Sequence, residues 1–132
     1  MRIFLDTNVL VSAAVFGGVC AELLSAGQDR CEFLVSEAVW REFDAKLSAK
    51  FAFSDEDRSA ARSTFEDFTT VPDGEASGVK VRDPDDVIIL AAAISTGADI
   101  LATGDKDLLV LEKVGELLIL TPRELLNRLQ TL

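Results

Sequence analysis

The chain has 132 residues, of which 48% are hydrophobic, and its 23 acidic and 13 basic residues give a formal net charge of −10. The length predicts one domain over residues 1–132, and the acidic balance excludes binding of nucleic acid by bulk electrostatic attraction. The chain contains no histidine, which removes imidazole acid–base catalysis and histidine metal sites and leaves carboxylates as the leading candidates for any chemistry.

The hydropathy pattern predicts neither a membrane span nor a signal peptide. No run reaches the roughly 18 apolar residues that suggest a transmembrane helix, and Asp6 and Asn8 interrupt the first apolar run. Cys20 and Cys31 lie too far apart for a C-x-x-C motif and are typical of reduced thiols. We therefore expect a cytoplasmic protein.

Short apolar strands alternate with helices along the whole chain. The first half predicts, in order, a strand over 2–6, helices over 8–16 and 19–26, a strand over 33–36, and a helix that Ser36 caps and that runs to about 49. A helix then begins at the S-x-x-D capping sequence of residues 54–57 and carries Phe65 and Phe68. A short strand over 69–71 and a polar loop over 72–81 follow.

The second half repeats this alternation. It predicts first a helix that starts at Asp83-Pro84 and is buried nearly all round over 87–95. A strand over 99–103, a tight loop, a short helix over 108–114 and a strand over 117–120 follow. The last helix opens with the T-x-x-E capping box of residues 121–124. Such an alternation favours an α/β protein whose parallel sheet, here of about five strands, is covered on both faces.

Acidic residues fall where these strands end. Asp6 ends the first strand, and Asp105 and Asp107 follow the strand that ends at Thr103. Because ligands of open α/β sheets bind beyond the carboxyl ends of the strands, these acids are expected to lie at one site. Two further segments add acids there: Glu42 at the edge of the buried stripe of its helix, and the pair Asp85-Asp86 at the start of a later helix.

Each acid also has a structural interpretation. Asp6 could cap the helix that follows it, Glu42 could pair with Lys46 one turn on, and the remaining acids could serve as caps or turn residues. As a group, however, the acids need a further explanation. Two carboxylates about 4 Å apart repel by roughly 1–4 kcal/mol, so a cluster of them requires protons or a cation to neutralise it. Oxygen ligands without histidine or cysteine favour Mg²⁺ or Mn²⁺, which in such sites act on phosphate esters.

Four motifs, in the same order and over nearly the whole chain, resemble the PIN-domain ribonucleases. They are LDTNVLVSA, SEAVWREFDAKL, DPDDVIILAAA and ADILATGDKDLL, and the likeness is greatest to the VapC-like toxins of prokaryotic toxin–antitoxin pairs. The resemblance implies a three-layer α/β/α sandwich around a parallel sheet, and a Mg²⁺- or Mn²⁺-dependent endoribonuclease. It also implies a homodimer and a small antitoxin partner, for which the net charge would suit a basic tail.

Carried over position by position, the resemblance assigns site residues. The catalytic and metal-binding acids are predicted to be Asp6, Glu42, Asp86 rather than Asp85, and Asp105, with Asp107 as a fifth ligand. The polar residues predicted to orient the acids and water are Thr7, Asn8 and Thr103.

Basic residues that could line an RNA path are Arg41, Lys46, Arg82 and Lys106.

Three other functions share parts of this pattern. A phosphatase of the haloacid-dehalogenase type also opens with a strand that ends in Asp, but it needs a second Asp two residues later, where this chain has Asn8. A receiver-type signalling domain is also acidic and binds Mg²⁺, but no Asp clearly fits the end of the third strand. A binding module of the same fold without catalysis remains the third alternative.

Overall fold

The computed structural model describes residues 1–75 and 83–131. Six strands and seven helices follow one another in these ranges. The strands are β1 (Arg2–Leu5), β2 (Glu32–Ser36), β3 (Thr69–Val71), β4 (Ile100–Ala102), β5 (Lys113–Val114) and β6 (Leu117–Leu120). The helices are α1 (Thr7–Val15), α2 (Gly18–Gly27), α3 (Glu37–Phe51), α4 (Asp55–Ser63), α5 (Pro84–Ser95), α6 (Lys106–Leu109) and α7 (Pro122–Gln130).

One sheet organises these elements, with the strand order β3-β2-β1-β4-β6-β5. All neighbouring strands are parallel except β5, which runs antiparallel to β6 at the sheet edge. Successive residues of a strand point to opposite faces, and Ile3, Phe4 and Leu5 of the central β1 are all fully buried. Both faces are therefore covered, and the predicted α/β architecture with a central, mostly parallel sheet flanked by helices is confirmed.

The end of the sheet differs from the prediction. The helix predicted over 108–114 is wrong: α6 ends at Leu109, and Glu112 and Gly115 take left-handed backbone conformations, with φ of 59° at both. Gly115 and Glu116 form a two-residue turn that pairs Val114 with Leu117 in a hairpin. This hairpin adds β5, so the sheet has six strands where about five were expected.

Two helices also depart from their predicted burial or length. Ile88 and Ile94 of α5 are 43% and 41% exposed, so this helix is not buried nearly all round. The helix that opens at Ser54 ends at Ser63, and Phe65 and Phe68 lie in the turn that follows it.

A group of aromatic rings joins α3 to that turn. The ring of Phe65 lies 5.9 Å from that of Phe43 and 6.4 Å from that of Trp40. The indole Nε1 of Trp40 also donates a hydrogen bond of 3.0 Å to Thr70 Oγ1, which fixes α3 against β3. The guanidinium of Arg62 lies 3.5 Å from the centre of the indole ring and covers it.

Side-chain caps begin the helices at the predicted places. The hydroxyls of Ser36, Ser54 and Thr121 accept from backbone N–H groups at the starts of α3, α4 and α7. Cys20 and Cys31 are both free thiols. In the described ranges no single helix is long and apolar enough to cross a membrane, although α1 and α2, bent by 105°, pass that test of length and composition as a pair.

The cap of α7 provides a test of the fold. Thr121 accepts from Glu124 N, while the Glu124 carboxylate accepts from Thr121 N, both at 3.1 Å. Thr121→Ala removes the first bond and should lower the free energy of unfolding, measured by urea denaturation, by about 1 kcal/mol. Thr121→Ser keeps the hydroxyl and should stay close to the parent protein. Equal losses in both variants would contradict the capping role.

Candidate metal centre

Asp6 is a buried carboxylate at the carboxyl end of β1, with 6% of its surface exposed. Its Oδ1 accepts a hydrogen bond of 2.7 Å from Thr7 N, so it caps α1. Its Oδ2 accepts one of 2.6 Å from the hydroxyl of Thr103. The structural interpretation of Asp6 as a cap is therefore correct, but the cap uses only one of the two oxygens and leaves lone pairs on both.

Thr103 connects two neighbouring strand ends. Its hydroxyl is fully buried, donates to Asp6 and accepts a 3.0 Å hydrogen bond from Asp105 N. A hydroxyl has one donor and can accept twice, so Thr103 can hold a carboxylate and a backbone N–H at once. It fixes the loop after β4 beside the loop after β1.

Three carboxylates meet beside this pair. Asp86, Asp105 and Asp107 each offer an oxygen, and these oxygens lie within 4.8 Å of one another. Asp105 also caps α6 through a 2.9 Å hydrogen bond from Asp107 N, which sets the two acids of the G-D-K-D loop side by side. Asp86 comes from the first turn of α5. We call Asp86, Asp105 and Asp107 the acidic cluster.

Burial and like charge raise the pKa of two site carboxyls, Asp86 and Asp6. Asp86 is 7% exposed, and burial first, then the like charge of Asp105, raise its pKa to about 7. Burial also raises the pKa of Asp6, and this effect exceeds the lowering by its hydrogen bonds from Thr103 and Thr7. The charges of Glu42 and Asp105 raise the pKa of Asp6 further. Asp6, Asp86 and Asp105 therefore interact electrostatically, and Glu42 acts on Asp6.

Glu42 lies near this site but outside the acidic cluster. On α3 its carboxylate forms a 2.9 Å ion pair with Lys46, one helical turn on, and its side chain is 42% exposed. Lys46 Nζ also donates a 2.8 Å hydrogen bond to Asn8 Oδ1. The pairing of Glu42 with Lys46 is thus present, and Lys46 links Glu42 to the start of α1.

Two buried oxygens have no hydrogen-bond partner in the described part of the chain: Asp86 Oδ2 and Thr7 Oγ1. A buried acceptor without a partner costs free energy unless a ligand or water supplies one. The Asp86 oxygen belongs to the acidic cluster, so the missing partner falls where several negative groups already converge.

A family model described as PIN domain matches residues 2–107, a range that contains the acidic cluster, Asp6 and Glu42. The chain belongs to the PIN-domain family. No curated protein sequence matches it significantly.

Solved structures are similar to this PIN domain along most of its length. A chain of VapBC2 from Rickettsia felis, bound to a promoter DNA fragment, has a TM-score of 0.71 and 15% identity over 92% of this chain and 98% of that one. Mycobacterium tuberculosis VapC20, a toxin that cleaves the sarcin–ricin loop, has a TM-score of 0.64 and 14% identity over 88% and 98%. The PIN domain endonuclease Utp24 has a TM-score of 0.54 and 20% identity over 91% and 84%. At these identities the similarity shows the fold.

The PIN-domain structure brings most of the predicted site residues together. Asp86, Asp105 and Asp107 form the acidic cluster, and Asp6 adjoins it through Thr103. Asp86 is buried whereas Asp85 is exposed, which separates the two neighbouring acids. Asn8 is exposed and contacts Lys46 rather than an acid of the cluster.

Lys46, predicted to line an RNA path or to pair with Glu42, also contacts Asn8, which the sequence does not indicate. The i, i+4 spacing signals only the Glu42 pair. Arg82, another residue considered for that path, lies outside the described residues. Arg41 forms a 3.0 Å ion pair with Asp73 at the end of β3, and this pairing had no signal in the sequence.

The raised pKa of Asp86 predicts a pH-dependent stability. Its folded-state pKa of about 7 exceeds the ordinary value of 3.8, so its contribution to stability is fully present below about pH 4 and is lost as pH rises through 7. Asp86→Asn should therefore raise the Tm of the metal-free protein above pH 7, on the order of 5 °C, and change it little at pH 4. Differential scanning fluorimetry in EDTA measures this difference.

Asp85→Asn provides the matched control, because it removes the same charge from the neighbouring, exposed position. Its Tm difference from the parent protein should stay small across this pH range. Equal stabilisation by both variants would show that general charge reduction, rather than the site, raises Tm.

Proposed function

We propose that the protein is a divalent-metal-dependent endoribonuclease that hydrolyses phosphodiester bonds of RNA. The observation that carries this proposal is the convergence of three carboxylates within 4.8 Å, one of which has a buried oxygen without a partner among the described residues. Membership of the PIN-domain family supports it. So does the similarity to two solved structures, the PIN domain endonuclease Utp24 and a toxin that cleaves the sarcin–ricin loop.

The residues fit a hard divalent cation. All candidate ligands are carboxylate oxygens, and the chain has no histidine. Mg²⁺ and Mn²⁺ favour such oxygen ligands. Asp86, Asp105 and Asp107 would hold the ion, and Asp6 and Glu42 would complete the site from β1 and α3. A bound ion would also supply the partner that Asp86 Oδ2 lacks.

When bound, such an ion polarises a phosphoryl oxygen and lowers the pKa of water, so that hydroxide forms near neutral pH. The chain's own residues prepare the site for this chemistry. Thr103 fixes the Asp6 carboxylate in one orientation, and Asp105 is held by the Thr103 hydroxyl through its backbone N–H. The burial of Asp6 and Asp86 excludes water from the carboxylates and strengthens their electrostatic action.

Cleavage of RNA tests this function directly. Incubation with total cellular RNA should give discrete products in Mn²⁺ or Mg²⁺ and none in EDTA. Asp6→Asn and Asp86→Asn should abolish cleavage with the fold intact by circular dichroism, because each removes a charged ligand. Asp85→Asn should keep the parent rate within about twofold, since a surface charge away from the site contributes little.

Two results would contradict the proposal. Undiminished Mg²⁺-dependent cleavage by Asp6→Asn would remove the assigned site. Release of phosphate from p-nitrophenyl phosphate without any cleavage of RNA would instead favour the phosphatase alternative, although Asn8 contacts Lys46 and has no exchangeable acid to offer.

We further propose that the nuclease is the toxin of a toxin–antitoxin pair, with a small antitoxin protein as its partner. The support is the similarity to VapBC and VapC structures, together with a net charge of −10 that suits a partner with a basic segment. A homodimer and a cytoplasmic location are part of the same proposal.

Growth of a bacterial host tests the toxin role. Induction of the protein alone should arrest growth, and co-expression of the product of the adjacent open reading frame should restore it. The matched control is Asp86→Asn, which should leave growth unaffected because it lacks nuclease activity. Normal growth in every case, with the protein folded and cleaving RNA in vitro, would reject the toxin role but not the nuclease function.

A further inference from the structure

A groove between α1 and α3 runs from Asn8 and Lys46, beside Glu42, to the exposed Phe16 and the half-buried Phe51. Its volume is about 180 Å³, and Lys50 also lines it. Asn8 and Lys46 are the two groups that contact each other beside Glu42. We call this feature the α1–α3 groove.

Two regular helical stripes form the polar and aromatic walls. Residues four apart lie on the same face of a helix. On α1 and its C-cap this face carries Asn8, Ser12 and Phe16, and on α3 it carries Glu42, Lys46 and Lys50. The groove therefore changes along its length from Asn8 and Lys46, beside Glu42, to Lys50 and an aromatic ring.

Phe16 presents an aromatic surface to solvent. It is 71% exposed, although most large apolar residues of the described chain are buried. Its ring contacts that of Phe51 edge-to-face, with centroids 5.7 Å apart and planes at 81°. This contact restricts the ring while leaving most of its surface open, and such a surface can stack on a nucleobase of any sequence.

The two lysines differ in their contacts. Lys46 is held by Glu42 and Asn8, so its charge is fixed at the end of the groove near the site. Lys50 is exposed, and no acid of the described chain forms an ion pair with it. In a chain with a net charge of −10, this is a local positive group that a phosphate can approach.

We propose that the α1–α3 groove binds single-stranded RNA beside the acidic site, with Phe16 stacking on a base and Lys50 contacting the phosphate backbone. The proposal rests on the ribonuclease function. Phe16, the C-cap of α1, follows Asn8 by eight positions, which correspond to about 12 Å along the helix. Phe16 would therefore bind a nucleotide that flanks the cleaved bond rather than the one at the carboxylates.

Binding measured without cleavage tests the groove. In the Asp86→Asn background with Mg²⁺, fluorescence anisotropy would report the affinity for fluorescein-labelled oligouridylate and oligoadenylate. Phe16→Ala should weaken binding by about 5- to 10-fold, the lower part of the range for loss of one stacked base. Phe16→Leu should weaken it similarly, because it keeps apolar bulk without an aromatic face, and Phe16→Trp should retain or increase it.

The role of Lys50 has its own readout. Lys50→Ala should reduce the slope of log affinity against log salt concentration by about 0.7, as expected for one lost phosphate contact on a single strand. The matched controls are Ile94→Ala and Lys113→Ala, which remove an exposed apolar residue and an exposed lysine elsewhere. Neither control should change the RNA affinity or its salt dependence as much as the matching variant of Phe16 or Lys50 does.

Several outcomes would contradict the proposed RNA binding in the groove. Equal RNA affinities for the Ala, Leu and Trp variants of Phe16 would exclude stacking. A change confined to the molecular mass in light scattering, with RNA affinity unchanged, would make this face a contact between copies of the chain. These outcomes can be told apart from failure of the proposed nuclease function. Graded RNA binding by the Phe16 variants without metal-dependent cleavage by the parent protein would reject only the nuclease function. Metal-dependent cleavage with no effect of the Phe16 variants on RNA binding would reject only the role of the groove.

Discussion

Mutual repulsion of carboxylates at one edge of the sheet is the constraint on which the rest of this site depends. Asp6, Asp86, Asp105 and Asp107 come from three separate segments, and the fold brings them together although their charges oppose it. The buried core supplies the stability that this requires. Thr103 then limits the cost by donating to Asp6 and accepting from Asp105 N. A site that is unfavourable in isolation and rigidly supported is typical of functional positions.

The same helices shape both the acidic site and the groove beside it. α1 begins at the cap formed by Asp6 and ends next to Phe16, while α3 carries Glu42 near its start and Lys50 in its last turn. Lys46 joins the two helices through Asn8 and Glu42. One helix pair thus connects the proposed chemistry to the proposed RNA contact, which explains how an acidic protein could hold a polyanion locally.

Much of the fold could be predicted because its elements are marked locally. Apolar runs mark β1, β2 and β6, and the hydroxyls of Ser36 and Thr121 begin helices where their spacing predicts. The hairpin of β5 was missed because two paired residues have no periodicity, and only the turn at Gly115 signals it. The outward face of Ile88 was missed because composition does not say which side of an apolar helix is covered.

The site was predictable in part for similar reasons. Topology predicts that acids after parallel strands meet, so the approach of Asp105 to Asp6 follows from the strand order. The hydrogen bond from Thr103 to Asp6 joins residues 97 positions apart, and its geometry cannot be derived from local spacing. Helical spacing predicts the pair of Glu42 with Lys46, but the contact of Lys46 with Asn8 depends on how α1 packs against α3.

The central claim is that the acidic cluster holds a divalent cation. Crystals of the protein soaked in Mn²⁺ and measured near the manganese absorption edge would test it most directly. We expect an anomalous peak bound by carboxylate oxygens of Asp86, Asp105 and Asp107, with Asp6 beside it, and loss of that peak in Asp86→Asn. A peak elsewhere on the surface, or none between these carboxylates at saturating Mn²⁺, would contradict it.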